Sequence, residues 1–387
     1  GNTKLEDADW NDGLDMGHHK GESVAFSCMY AHNLAEMADV LEAVRDRKGV
    51  DMIELTAELA ILLGDGAKAQ QDPAAKRRRL EKFFDATKKN VSGKALAMDT
   101  KKLAADLRAK AQAFGSHIRR QEWLKTIGTF NGYYDNAGRR VEGVVNNARR
   151  ITLTSGVFSL MSGVATDTQA ATVYKTLSQT LKEKKYGTFR LNTNFKEVKL
   201  DLGRAFAFSY GDKENGAIFA HMDVMFAFSL YRRGFVQEGW QLVKGLASLA
   251  TGEDARTYPC ISEYYNSDYR GLYNFLTGSA SWYTYLLVTQ IFGLKHAYGD
   301  LTLEPRLTRE QFGGKKELSI TASIDGRPCT VVYRTPQNKE YGQYAITAIT
   351  VNGVTFPVKD RKVFTLDRMG KKALLVKKQN EIVVTLG

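Results

Sequence analysis

From Ser23 to Ala43 the apolar positions Val24, Phe26, Met29, Leu34, Met37, Val40 and Leu41 recur at spacings near three and four, which places one stripe on a helix. Similar patterning predicts helices at about 51–63, 74–89, 99–114, 167–184, 216–232, 234–249 and 277–292. Gly-rich or polar stretches such as Gly64-Asp65-Gly66 and Ser92-Gly93 separate them. The first three quarters is therefore expected to be mainly α, in hairpin-like pairs. After about Tyr298 the period shortens to two, and Leu318–Ile324, Cys329–Tyr333 and Ile382–Leu386 read as β-branched alternating strands. Asp325-Gly326 and Asn352-Gly353 supply hairpin turn signals between them. An antiparallel β unit appended to a helical body follows, with the boundary near 298–305.

Length and composition agree with this division. A chain of 387 residues exceeds what one core usually organises, and 43% hydrophobic residues suffice to bury two. There is no run of roughly 18 apolar residues and no basic-then-apolar start, so the expectation is a cytoplasmic protein with no membrane partner. Cys28, Cys260 and Cys329 are odd in number and far apart, with no clustered His to complete a zinc site, so free thiols and no metal are expected. The formal charge of +12 raises the question of nucleic acid. Much of the excess lies between Lys76 and Arg120, in Ala-, Leu- and Lys-rich text that reads as a solvated helical face, and no nucleic-acid partner is expected.

Three blocks carry candidate chemistry. Asp7-Ala8-Asp9-Trp10-Asn11-Asp12-Gly13-Leu14-Asp15 packs four carboxylates and a Trp into nine residues. Like charges and an apolar ring both raise a carboxyl's pKa, which suits a proton donor, and the ring offers a flat face for a pyranose. The same residues also suit a loop whose Asp side chains cap a helix and bind backbone amides. In Asp212-Lys213-Glu214-Asn215-Gly216, a turn feeds an apolar run that carries His221 near a helix start, where anions are favoured. A satisfied core histidine and a surface Lys213–Glu214 pair are the plainer alternatives. Tyr258 through Tyr265, then Leu276-Thr277-Gly278-Ser279-Ala280, offers hydroxyls and backbone amides at a further helix start, where Thr277 also suits a simple cap. The chain has no GxxxxGK[ST], GxGxxG, HExxH or GxSxG, so nucleotide hydrolysis, dinucleotide binding, zinc proteolysis and esterase chemistry lack their signatures.

In this order the blocks resemble the inverting phosphorylases of glycoside hydrolase family 94, which includes cellobiose, cellodextrin and chitobiose phosphorylases. Ala8 through Leu14 is similar to the family's catalytic-acid loop, Gly21-Glu22-Ser23-Val24 to its following helix start, Lys213 through Gly216 to its sugar-binding loop, and Leu276 through Ala280 to its phosphate loop. The seven-residue step from Glu214 to His221 agrees as well. The resemblance implies Asp12 as general acid. It implies sugar contacts for Trp10, Lys213 and Glu214, and phosphate contacts for His221, Thr277 and Gly278, with Glu263 a further substrate-binding residue. It also implies the second part of an (α/α)6 barrel over 1–300, carrying a basic helical insertion at about 66–125, followed by a small antiparallel β-sandwich domain at 301–387.

The reaction so implied is inverting phosphorolysis of β-linked gluco-oligosaccharides to α-glucose 1-phosphate and a shortened sugar. Phosphate is a co-substrate and no cofactor is needed. Relatives hold an arginine on the phosphate and an additional acidic residue on the sugar in the first half of the barrel. That N-terminal half is expected as a partner of this chain, which alone should be inactive, and relatives are often homodimers. The basic stretch resembles an insertion, and longer relatives in families 149 and 161, acting on β-1,3-glucans, share the plan. The alternatives are an inverting hydrolase on the same fold, which needs a second carboxylate, and a non-catalytic carbohydrate-binding helical protein.

Overall fold

The computed structural model describes residues 1–275 and 277–387, with the side chains of all but Ala69 and Gln70. The chain divides into two compact units. One comprises Gly1–Met222, Asp254–Arg256 and Tyr264–Leu272, the other Asp223–Glu253, Thr257–Glu263 and Tyr273–Gly387.

Helix α1 (Val24–Lys48) is capped by Ser23, whose Oγ accepts from the Phe26 amide at 2.9 Å. It ends at Gly49, whose φ of 66° closes the last turn with an amide bond to Arg45 O. Helix α2 (Pro73–Thr87) begins with Pro just inside an Asp72 cap, and α3 (Thr100–Gln121) is capped by Asp99. Ala38 of α1 packs with Leu103, Ala104 and Leu107 of α3, and Leu34, Leu41, Ile53, Leu55, Leu63 and Met98 cover that cluster.

The helix expected at 51–63 is instead a strand, Met52–Thr56, followed by the 3-10 turn Ala57–Ile61. Leu55, Leu59 and Leu63 stand four apart and mimic a helical stripe. The strand obeys the shorter period, since Ile53 and Leu55 turn inward and their neighbours outward. Its partner Ala95–Asp99 falls between the helices expected at about 74–89 and 99–114, inside the basic stretch read as a helical insertion. Helix α4 (Leu153–Met161), absent from the expected set, is buried at all nine positions. A helix buried all round, with Thr154, Ser155 and Ser159 inside as well, shows no stripe by which to recognise it.

Next come α5 (Asp167–Thr180), with a Thr166–Gln169 capping box, then α6 (Ala220–Arg232) and α7 (Val236–Thr251). Helix α6 starts later than expected because Ile218–Phe219 is a strand, pairing with Tyr264–Tyr265, which pairs in turn with Gly271–Leu272. Helix α8 (Gly278–Leu286) runs on as a π-helical turn over Leu287–Ile291.

The β-rich text folds into a three-stranded sheet, Leu294–Ala297, Asp300–Leu303 and Phe364–Leu366, and a five-stranded one. In the larger sheet, Glu317–Ile324 and Arg327–Arg334 turn at Asp325 (φ 49°) and Gly326 (φ 77°), while Ile346–Val351 and Val354–Phe356 turn at Asn352 (φ 50°) and Gly353 (φ 90°). The expectation of a purely antiparallel unit is corrected: Arg327–Arg334 and Asn380–Leu386 run parallel. Only a long return of the chain can make such a pair, and it lies outside what hairpin signals report. Alternate residues Cys329, Val331, Tyr333, Ile382, Val384 and Leu386 are buried, so this pair forms the sheet's inner seam. Among the described residues no helix is long and apolar enough to cross a membrane.

Candidate active site

The acidic loop at 7–15 is built from its own turns and anchored by distant chain. Asp9 Oδ1 accepts from the Asn11 amide at 2.9 Å, Asn11 Oδ1 from the Gly13 amide at 3.1 Å, and Asn11 O from the Leu14 amide at 3.0 Å. Gly13 O accepts from the Ala205 amide at 2.8 Å, and a Cβ at position 13 would lie 2.9 Å from Ala205 Cβ and 3.1 Å from Glu214 Cγ. Only glycine permits that approach. Asp15 accepts from the Arg204 amide at 3.1 Å and pairs with its guanidinium, so these bonds hold its carboxyl below the usual range against the opposing effect of burial.

The carboxylates of this loop divide by environment. Asp9 is half-buried with its carboxyl enclosed: Oδ2 accepts from Ser23 Oγ at 2.7 Å, and Tyr133 Oη approaches Oδ1 at 3.4 Å. Burial pushes its pKa up to about 6, opposed by hydrogen bonds from Ser23, the Asn11 amide and Tyr133. Asp12 is the reverse case. Its side chain is 78% exposed, and Arg204 Nη2 stands 3.9 Å from its Oδ2.

The 211–216 loop is a tight turn in which Gly211 N donates to Asn215 O at 2.7 Å. Lys213 sits at φ 45° with its ammonium 4.9 Å from the Phe208 ring centre. Gly216 has φ 79°, and a Cβ there would strike the Tyr210 ring. Glu214 is buried, at 8% exposure, and Oε1 accepts from Tyr264 Oη at 3.1 Å. No hydrogen-bond partner is present for its Oε2 among the described residues. Glu214 lines a small cavity of about 20 Å³ with Asn11, Tyr133, Thr152, Thr154 and Asn192.

An aromatic chain joins the first two blocks. The Trp10 ring lies 4.8 Å from that of Phe219 and 5.4 Å, edge-on, from that of His221, and Phe219 lies 4.2 Å from Tyr264, the donor to Glu214. Trp10, distant in sequence from the other two, therefore belongs to one cluster with Glu214 and His221. Burial lowers the His221 pKa, so at neutral pH the ring is uncharged and offers a hydrogen bond rather than a full positive charge.

Glu263, Thr277 and Gly278 of the third block lie in the other unit, whereas its Tyr264 and Tyr265 belong to the first. Thr277 caps α8, its Oγ1 accepting from the Ser279 amide at 3.1 Å, and Gly278 is the first residue of that helix. Glu263 is half-buried, its amide donating to Tyr273 O at 3.0 Å. Leu276 of the same motif lies outside the described residues.

Several participants had no local signal. Tyr133 is fully buried behind Asp9. Glu142 lies beneath it, accepting from the Gly132 amide at 2.9 Å, the Tyr133 amide at 3.3 Å and the Thr152 hydroxyl. Burial pushes Glu142 up to about 7 despite these bonds. Arg204 likewise meets the site from distant sequence, while Tyr264 lies in the third candidate block with no sign there of its bond to Glu214. Ser23 caps α1, and its second bond, to Asp9, is what ties the helix start to the loop.

Residues 80–293 match the model of the glycosyl hydrolase 94 superfamily catalytic domain, more than half of the chain. The chain belongs to that superfamily. Within the matched glycosyl hydrolase 94 interval lie Lys213, Glu214, His221, Glu263, Thr277 and Gly278, while Trp10 and Asp12 precede it. No curated protein sequence matches the chain.

Solved structures that resemble it include the glycoside hydrolase family 63 mannosylglycerate hydrolase of Thermus thermophilus in complex with glucose, at 14% identity and a TM-score of 0.35, covering 56% of this chain and 45% of that one. A D-mannose isomerase covers 69% and 54% at 8% identity, with a TM-score of 0.34. Likeness this low fixes neither fold nor chemistry. The chain spans about half the length of these structures.

Proposed function

We propose that the chain forms part of an inverting glycoside phosphorylase acting on β-linked gluco-oligosaccharides, with phosphate as co-substrate and no cofactor, and that its helices belong to an (α/α)6 barrel. The observation that carries this reading is the joining of Trp10, Glu214 and His221 through Phe219 and Tyr264, next to an exposed carboxyl at Asp12. A flat ring, a buried carboxylate with one oxygen unpaired among the described residues and a neutral imidazole suit a sugar hydroxyl array beside an anion. Superfamily membership supports a glycoside-active enzyme.

In the proposed reaction, Asp12 gives its proton to the glycosidic oxygen as the bond from that oxygen to the anomeric carbon breaks. A phosphate oxygen attacks the same carbon from the opposite face, so a β-glucoside yields α-glucose 1-phosphate. Phosphate is already nucleophilic, and no base carboxylate is needed to activate it. Trp10, Lys213 and Glu214 hold the sugar and His221 the phosphate; the family resemblance further assigns Glu263 to the sugar and Thr277 and Gly278, at a helix start, to the phosphate.

The test uses the longest natural product of the gene with a panel of β-1,2-, β-1,3- and β-1,4-gluco-oligosaccharides. Phosphate-dependent release of α-glucose 1-phosphate is expected from at least one linkage. Sugar release at the same rate without phosphate favours the hydrolase reading, and no release from any of them defeats both.

A further inference from the structure

We infer that Asp9 is a positioning residue for the proposed proton donor, fixing the 9–13 turn between the start of α1 and Tyr133 so that Asp12 is presented from a rigid base. This rests on the phosphorolysis reading and adds to it a residue that does not touch substrate. The bonds within the turn lead back to Asp9: the Asn11 amide donates to Oδ1, and Asn11 in turn fastens Gly13 and Leu14. Oδ2 accepts from Ser23, whose oxygen also caps α1, so loop and helix are fastened at one atom pair.

The far side of the clamp is equally built. Gly132 O accepts from the Val24 amide at 2.8 Å and the Ala25 amide at 3.3 Å, and Glu142 binds the amides of Gly132 and Tyr133. The helix start, the Tyr133 strand and the turn are thus parts of one hydrogen-bonded frame, and Asp9 links that frame to Asn11. An exposed acid on a loose turn would spend most encounters misaligned, whereas a clamped one keeps its proton near the leaving oxygen.

The decisive comparison uses two leaving groups. A glucan oxygen needs a proton to depart; a 2,4-dinitrophenolate does not. With Asp9→Asn, kcat on a β-linked gluco-oligosaccharide should fall roughly 10²-fold with KM little changed, while phosphate-dependent turnover of 2,4-dinitrophenyl β-glucoside should fall less than about threefold. Equal losses on both substrates, or none on either, overturn the inference.

Tyr133→Phe removes one donor to Asp9 without removing the carboxylate, and should show the same split in weaker form. Amide hydrogen exchange supplies a readout independent of activity: Asn11, Gly13 and Leu14 should exchange faster in Asp9→Asn, with the strand Tyr133–Tyr134 unchanged. If the wild-type enzyme releases no glucose 1-phosphate, the phosphorolysis reading fails, and these amides still judge the clamp. Unchanged exchange overturns it.

Discussion

Asp9 at the floor of the acidic loop and Asp12 at its tip are three residues apart and have opposite surroundings. The floor carboxyl is enclosed and takes bonds from a side-chain hydroxyl, a backbone amide and a buried phenol. The tip carboxyl faces solvent beside one guanidinium. Residue type is the same, so the difference is entirely one of context: a carboxylate with its lone pairs committed is a fastener, whereas one left accessible is available to chemistry. On the proposed reading, the crowding of like charges that makes this motif conspicuous resolves into a division of labour between structure and reaction.

The sharpest way to break that comparison is Asp12→Asn in the complete enzyme. Loss of a general acid should cost about 10²–10⁴ in turnover of a β-glucan, with the melting temperature unchanged because the exposed side chain contributes nothing to packing. Retained turnover would show that Asp12 is not the acid.

The next effect is on stability against pH. The folded Asp9 has a pKa of about 6 against 3.8 ordinarily, and Glu142 about 7 against 4.5. Between those limits the folded chain keeps protons that the unfolded chain has released, so stability due to these groups falls as pH rises from about 4 to 7 and is level above. Each penalty amounts to at most about 3 kcal/mol. Asp9→Asn and Glu142→Gln should each flatten that decline in urea unfolding between pH 4 and pH 7.5; a decline as steep as in the wild type contradicts the assignment.

Gly216→Ala should cost roughly 2 kcal/mol, from forcing an L-residue to φ 79° and pressing the Tyr210 ring. Its loss should appear as lower stability together with weaker sugar binding by the Glu214 loop, whereas an unchanged melting curve would show that the turn is soft. The smallest effect is expected at Asp7, whose side chain is 93% exposed: Asp7→Asn should alter stability by less than about 0.5 kcal/mol, separating mere membership of the acidic cluster from a role in it.

The parts of this picture differ in how far the sequence discloses them. Helix α1, the Thr277 cap and the turns at Asp325-Gly326 and Asn352-Gly353 are encoded within a few residues, and local reading finds them, although Met37 and Val40 of the expected α1 stripe are exposed. The strand Met52–Thr56 is misread because Leu55, Leu59 and Leu63 share a helical spacing across an element boundary. Helix α4 is missed because uniform burial erases periodicity. The three motif blocks name candidate residues, yet they do not reveal that Trp10 reaches His221 or that Tyr133 lies behind Asp9. Those contacts join positions more than a hundred residues apart, which no local pattern records.

The most direct measurement of the central claim is proton NMR of the first sugar formed when the complete enzyme turns over a β-linked gluco-oligosaccharide, with and without phosphate. The account predicts α-glucose 1-phosphate as the initial product in phosphate and no cleavage in its absence. Free glucose appearing equally in both, or a β-configured phosphate ester, contradicts it.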